Sequence, residues 1–144
     1  MLKVLIADDE EKICQLIIKL INWEEMGLKI AATASNGIEA LEQAKICKPE
    51  ILITDIRMPG IDGMELIRKV KEKLPDTEII IISGYRHFEY AQTAIRYGVR
   101  NYLLKPIKKE ELRDTLQKIA DIYREKNEQL NFEERRPFQV LCKR

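Results

Sequence analysis

Apolar residues along the chain fall into short continuous runs, separated by segments in which they recur every three or four positions. Continuous runs at Leu2–Ala7, Ile51–Thr54 and Glu78–Ser83 are typical of strands buried on both faces. The segment Leu28–Ala34 alternates apolar and more polar residues, which suits an edge strand. Arg100–Leu104 completes a set of five predicted strands.

The segments between these strands have helical periodicity. Their predicted inward faces contain Ile13, Leu16, Ile17 and Leu20, then Ile38, Leu41 and Ala44, then Met64, Ile67, Val70 and Leu74, and then Phe88, Ala91 and Ile95. Asn36 and Asp62 precede helix starts, Gly98 ends the fourth helix, and a fifth helix is predicted from Lys108 at least to about Asn127. Strands that alternate with helices predict an α/β fold with a parallel sheet. The edge-like second strand favours a doubly wound, flavodoxin-like sheet of order 2-1-3-4-5.

Polar residues follow the carboxyl ends of four of these strands. Asp8 and Asp9 come after the first strand, Asp55 after the third, Ser83 ends the fourth and Lys105 follows the fifth. In an open parallel sheet these ends face one crevice, where ligands bind. Three carboxylates in one crevice repel one another, and a hard divalent cation relieves that repulsion. The layout predicts phosphate and Mg²⁺ chemistry.

Composition narrows the class of protein. The chain has 144 residues, of which 45% are hydrophobic and 34% charged, which suits one globular domain. A net charge of +1 gives no argument for sequence-independent DNA binding by the chain as a whole, although it does not exclude a local basic patch. Three widely spaced cysteines, no signal-peptide pattern and no membrane-length apolar run predict a cytoplasmic protein with reduced thiols.

The polar groups at the four strand ends, taken together and in this order, resemble the receiver domain of bacterial two-component response regulators. The resemblance covers about residues 1–125 and rests on Asp8-Asp9, Asp55-x-x-Met58-Pro59-Gly60 with Asp62-Gly63, Ser83 and Lys105-Pro106. It implies that a cognate sensor histidine kinase donates a phosphoryl group to Asp55, whose carboxylate is the nucleophile. The chain would then be a signalling switch and not an enzyme.

The resemblance also implies a Mg²⁺ site. Asp9 would bind the ion directly and Asp8 through a water molecule, with Asp55 and the backbone carbonyl of Arg57 as further ligands. The structural alternative is that Asp8 or Asp9 caps the first helix, and the two roles are compatible. Before phosphorylation, Lys105 would pair with Asp55.

A switch is the third implication of the resemblance. Ser83 would donate a hydrogen bond to the phosphoryl group, Tyr102 would rotate inward, and Lys105–Pro106 would be a cis peptide bond. The face formed by the fourth helix, fifth strand and fifth helix would then change and support a phosphorylation-dependent homodimer. Alone, Ser83 would be a turn residue and Tyr102 an amphipathic tyrosine at a strand edge.

The segments Ser83–Ala91 and Trp23–Gly27 resemble receivers that are joined to AraC-type DNA-binding domains. We therefore expect residues 126–144 to be a helical extension or linker toward an output domain that would contact DNA. The alternative is a stand-alone receiver. Within the fifth helix, Leu112, Leu116 and Ile119 are expected to pack on the sheet rather than to form a coiled coil. No membrane partner is expected.

Two other classes of protein fit less well. Phosphatases of the haloacid dehalogenase type also use an aspartate nucleophile and Mg²⁺, but their characteristic pattern is Asp-x-Asp on the first strand. Here the acidic pair is adjacent, and the candidate nucleophile Asp55 follows the third strand. A nucleotide-binding protein would need a glycine-rich phosphate loop, and the sequence contains no G-x-G-x-x-G or Walker-type pattern.

Overall fold

The computed structural model describes residues 1–84 and 88–134. Its strands are β1 (Leu2–Ala7), β2 (Leu28–Ala34), β3 (Ile51–Thr54), β4 (Glu78–Ser83) and β5 (Asn101–Leu104). All neighbouring strands pair in parallel, in the order β2-β1-β3-β4-β5, so the predicted fold class and strand order are confirmed. The last strand begins one residue later than predicted, because Asn101 is the first residue to pair with β4, opposite Ile80.

Five helices connect and follow these strands: α1 (Glu11–Leu20), α2 (Gly37–Cys47), α3 (Gly63–Lys73), α4 (Phe88–Arg96) and α5 (Lys109–Glu134). The predicted caps are present. The side chain of Asn36 accepts a hydrogen bond from the N–H of Glu39 at 2.8 Å, and Asp62 accepts from Glu65 at 2.9 Å. After α4, Gly98 has φ +82°, the left-handed conformation expected just beyond a helix end.

The sheet has a hydrophobic core on each face, because successive side chains of a strand point to opposite sides. Val4 and Ile6 face α1 and α5, whereas Leu5 faces α2 and α3. On the α5 side the fully buried residues include the predicted inward residues Leu112, Leu116 and Ile119, so their packing on the sheet is confirmed. Among the described residues, no helix combines the length and the apolar character needed to cross a membrane.

Three residues that were predicted to face inward are exposed instead. The exposed fractions are 41% for Leu16, 54% for Ile38 and 70% for Ile95. Among the described side chains of α2 and α4, the buried positions are taken by small residues, Ala40 and Ala94 among them. A small side chain lets a helix backbone lie close to the sheet, so the helix turns an alanine inward and leaves a neighbouring isoleucine outside.

The fifth helix continues past the predicted minimum of Asn127 to Glu134, the last described residue. Near its middle, the hydroxyl of Tyr123 donates to the backbone carbonyls of Glu50, at 3.2 Å, and of Asp76. The guanidinium of the next residue, Arg124, donates to the carbonyl of Met26 at 3.0 Å. The helix is therefore held to the loops at the amino end of the sheet. Residues 85–87, within the AraC-like segment, and residues 135–144, within the predicted extension, lie outside the described residues.

Candidate functional site

Strand pairing brings the predicted polar residues together at the carboxyl end of the sheet. Ala7 of β1 pairs with Thr54 of β3, so Asp8 and Asp55 each follow the end of one of two adjacent strands. On the other side, the backbone N–H of Lys105 donates to the carbonyl of Ser83 at 2.9 Å. Four separate strand ends thus contribute to one crevice, as the sequence predicts.

Three carboxylates form the centre of this crevice. Asp8, Asp9 and Asp55 each place a carboxylate oxygen within 4.8 Å of the others. Asp8 and Asp55 are only 3% and 7% exposed, whereas Asp9 is exposed. Two buried negative charges at this separation are costly unless a positive charge offsets them.

Lys105 supplies that positive charge. Its ammonium lies 2.9 Å from Oδ2 of Asp55 and 3.2 Å from Oδ2 of Asp8. Burial by itself would lower the pKa of Lys105, but the hydrogen bonds and negative charges of Asp55 and Asp8 outweigh it and leave that pKa raised. The expected pairing with Asp55 and the cis Lys105–Pro106 bond are both present. The second contact, with Asp8, was not predicted.

Burial raises the pKa of the Asp8 carboxyl, although the Glu10 N–H and the Lys105 ammonium act in the opposite direction. Its Oδ1 accepts from the backbone N–H of Glu10 at 2.9 Å, immediately before α1, and its Oδ2 accepts from Lys105. Asp8 therefore orients the turn before α1, but the N-cap residue is Glu10 and no side chain caps this helix, so the alternative that Asp8 or Asp9 caps α1 is wrong.

The backbone around Asp55 is fixed by contacts that sequence patterns did not indicate. Its N–H donates to the carbonyl of Ala7 at 3.1 Å, and its Oδ1 accepts from the N–H of Ile56 at 2.6 Å. The hydroxyl of Thr54 donates to the carbonyl of Asp55 at 2.8 Å. The carboxylate is therefore held in one orientation, with Oδ2 toward Lys105.

The remaining predicted residues surround this cluster. Ser83 is fully buried at the end of β4, and Arg57 lies two residues after Asp55 in the loop between β3 and α3. Tyr102, in β5 opposite Ile81, is half-buried against the core on the α2 and α3 side of the sheet.

The sequence did not indicate that a cysteine, Cys14, lies beside the three carboxylates. The Sγ atom of Cys14 lies 3.8 Å from the carbonyl oxygen of Asp8, and both residues line a cavity of about 300 Å³ between α1 and the start of α2. Burial and the charge of Asp8 raise the pKa of this thiol, so it stays protonated and is a poor nucleophile. Cys14 and Cys47 are free thiols, as predicted, and Cys142 lies outside the described residues.

The polar residues at these strand ends and a match to a family of known sequences together identify the family of this chain. Residues 4–117 match the family described as response regulator receiver domain. The chain belongs to this family. Receiver domains generally bind Mg²⁺ at an acidic pocket, and membership implies a histidine kinase as partner.

Known receivers and regulators are similar to the chain. The receiver domain of AraT from Geobacillus stearothermophilus is 41% identical over 88% of this chain and 98% of that one, with a TM-score of 0.83. A two-component transcriptional regulator AraC from Clostridium phytofermentans is 36% identical over 84% of this chain and 94% of that one, with a TM-score of 0.78. The AraC-type receiver resemblance is thus confirmed.

Full-length relatives extend well beyond the receiver. The uncharacterized transcriptional regulatory protein YesN of Bacillus subtilis is 40% identical over 92% of this chain, and the match spans 38% of YesN. For the transcriptional regulatory protein HptR of Staphylococcus aureus, the identity is 38% over 83% of this chain and 47% of HptR. The chain therefore spans less than half the length of these relatives. The receiver interpretation is confirmed, and the matches give no support to the phosphatase alternative.

Proposed function

We propose that this receiver domain takes up a phosphoryl group on Asp55 from a sensor histidine kinase and thereby controls a transcriptional output. The observation that carries the assignment to Asp55 is its position: a buried carboxylate, oriented by the N–H of Ile56, with one oxygen 2.9 Å from the ammonium of Lys105. A nucleophile needs a fixed orientation, and the transferred group needs a neighbouring positive charge.

The transfer is a nucleophilic displacement at phosphorus. A carboxylate oxygen of Asp55 forms a bond to phosphorus as the nitrogen–phosphorus bond of the phosphohistidine breaks, and the imidazole leaves. Lys105 stabilises the negative charge on the phosphoryl oxygens as a point charge. The hydroxyl of Ser83 donates a hydrogen bond to the same group once the aspartyl phosphate has formed.

The donor set fits Mg²⁺, because it consists of oxygen atoms that converge within 4.8 Å. Asp9, Asp55 and the backbone carbonyl of Arg57 would hold the ion. When bound, it screens the negative charge of the phosphoryl group against the carboxylates. Asp8 would act on the ion through a water molecule.

The second part of the proposal is how phosphorylation affects the C-terminal half of the chain. Ser83 and Tyr102 would report phosphorylation to the face formed by α4, β5 and α5, which would support a homodimer. Residues 1–125 would be the receiver, and residues 126–144 would lead toward a DNA-contacting part of a longer cytoplasmic protein without enzymatic turnover. Two facts support this division: α5 runs on to Glu134, and the match spans only 38% of YesN and 47% of HptR, the relatives named as transcriptional regulatory proteins.

The experiment that tests the site is intact-mass measurement after incubation with acetyl phosphate, with and without Mg²⁺. We expect a Mg²⁺-dependent gain of one phosphoryl group, lost in Asp55→Asn with the fold intact. Asp62→Asn is a matched control, because Asp62 lies in the same acidic loop but caps α3. Labelling that persists in Asp55→Asn and disappears in Asp62→Asn would overturn the assignment.

A further inference from the structure

The first residue of α2 is in close contact with the loop that leaves the phosphoryl acceptor. Gly37 donates its N–H to the carbonyl of Pro59 at 3.4 Å. A Cβ atom at Gly37 would lie 2.0 Å from the carbonyl oxygen of Ile61 and 2.5 Å from its Cγ1. Ordinary contacts between non-bonded carbons are 3.5–4.0 Å, so any side chain here would displace the loop.

A second glycine fixes the same loop from α3. The N–H of Gly63 donates to the carbonyl of Ile56. A Cβ at this position would lie 2.1 Å from the carbonyl oxygen of Asp55 and 2.7 Å from Cα of Ile56. The loop 56–62 is thus held between the first residues of two helices. Gly63 of α3 contacts the start of the loop beside Asp55, and Gly37 of α2 contacts the later part of the loop.

Close approach, and not backbone conformation, explains why residue 37 is a glycine. The glycines with positive φ are Gly27, Gly60 and Gly98, and Gly37 is not among them. Alanine would therefore be allowed at position 37 by its backbone angles, and alanine has the higher helix propensity. The carbonyl and side chain of Ile61 exclude it.

We infer that Gly37 is a positioning residue for the metal and phosphoryl site, so that α2, which supplies no ligand, sets where the ligand loop lies. The inference rests on the proposed function. A side chain at Gly37 forces the loop away from α2, and Arg57, whose carbonyl is a proposed ligand, lies between the two glycine contacts. Ile56 and Met58, on either side of Arg57, are buried, so the displaced segment has no room to move inward.

The test is a titration with Mn²⁺, a paramagnetic substitute for Mg²⁺, followed by the electron paramagnetic resonance signal of the free ion. We expect Gly37→Ala to bind Mn²⁺ about tenfold more weakly, the size typical for residues that orient metal ligands. Glu42→Ala, at an exposed position of the same helix, should bind as the unmodified protein does. Affinity within twofold of the unmodified protein, in a Gly37→Ala variant with an unchanged unfolding transition, would overturn the inference.

A measurement on the unmodified protein covers the case in which Gly37→Ala does not fold. In two-dimensional amide NMR spectra, Mg²⁺ should shift the Gly37 amide resonance together with the amide resonances in residues 56–62. The reason is that the Gly37 N–H donates a hydrogen bond to the carbonyl of Pro59 in that loop. Shifts confined to the loop would show that α2 is not coupled to the site. No Mg²⁺-dependent shift anywhere would instead remove the metal site of the proposed function, and the inference with it.

Discussion

The ammonium of Lys105 lies 2.9 Å from a carboxylate oxygen of Asp55, so the proposed phosphoryl acceptor is paired with a cation before any phosphoryl group arrives. The same ammonium is 3.2 Å from Asp8. One side chain from the end of β5 thus neutralises part of the charge of two buried carboxylates that follow β1 and β3. Folding of this end of the sheet and its chemistry depend on the same contact.

Replacing Lys105 should therefore destabilise the metal-free protein. In Lys105→Met the carboxylates of Asp8 and Asp55 keep their burial but lose their partner, and we expect a loss of about 2 kcal/mol in the free energy of unfolding. Urea unfolding in EDTA measures this loss, with Lys108→Met, an exposed lysine nearby, as control. Addition of Mg²⁺ should restore part of the stability. Equal stability of the two variants in EDTA would contradict the prediction.

Tyr102→Ala should weaken association of the phosphorylated protein without preventing its phosphorylation. Tyr102 packs on the core on the α2 and α3 side of the sheet, and its proposed role begins only after the aspartyl phosphate has formed, so phosphoryl uptake should be unchanged. Association of the phosphorylated protein, measured by sedimentation, should weaken about tenfold, or 1.4 kcal/mol. Tyr102→Phe keeps the ring and should retain most of the association. Unchanged association in Tyr102→Ala would leave Tyr102 as an ordinary strand-edge tyrosine.

Tyr123 should make stability depend on pH in the alkaline range. Burial, with the nearby charges of Glu78, Glu50 and Asp76, raises the pKa of Tyr123 to about 12, above its ordinary value of about 10. The folded state therefore holds this proton more tightly than the unfolded state. The resulting stability is fully present below pH 10 and is lost as the pH rises toward 12.

Comparison with Tyr123→Phe isolates that effect from other alkaline titrations. The variant loses the hydrogen bonds to Glu50 and Asp76 and should be less stable at neutral pH by about 1 kcal/mol. Between pH 10 and 12 its unfolding free energy should fall less steeply than that of the unmodified protein. Parallel pH profiles from urea unfolding would show that the Tyr123 hydroxyl is not the group concerned.

Arg124→Ala should loosen the turn that contains the chain's single tryptophan. Arg124 donates to the carbonyl of Met26, and the N–H of Met26 donates to Trp23, which is 8% exposed. Loss of the guanidinium should increase quenching of Trp23 fluorescence by acrylamide while the protein stays folded. Lys118→Ala, at an exposed position on α5, is the control. Identical quenching in both variants would show that α5 does not stabilise this turn.

The strands were predictable because their signal is local. The runs Leu2–Ala7, Ile51–Thr54 and Glu78–Ser83 are largely buried on both faces, so their polar residues fall only at or next to the ends and do not interrupt the apolar pattern. Helix faces were less predictable, since helical periodicity gives most weight to large residues. In α2 the buried residues are Gly37, Ala40 and Ala44, and their small size, which a hydrophobicity pattern undervalues, is what allows close packing.

The site shows a similar division. Asp8, Asp9, Asp55 and Lys105 were placed correctly, because each ends a recognisable strand and parallel strands end at the same edge. The supporting contacts depend on distances between segments far apart in the chain. The approach of Gly37 to Ile61 is an example, and no local pattern marks it beyond the presence of a glycine at a helix start.

The fifth helix has the dimensions of a lever arm. Its 26 residues correspond to about 39 Å, and the part beyond Arg124 alone to about 15 Å. Its fulcrum, at Tyr123 and Arg124, lies at the opposite end of the sheet from the carboxylates. A tilt of about ten degrees around that point would sweep the tip through about 3 Å. A small change in how this helix rests on the sheet would therefore be magnified with distance, so that whatever the helix carries moves farther than the residues that sense the phosphoryl group.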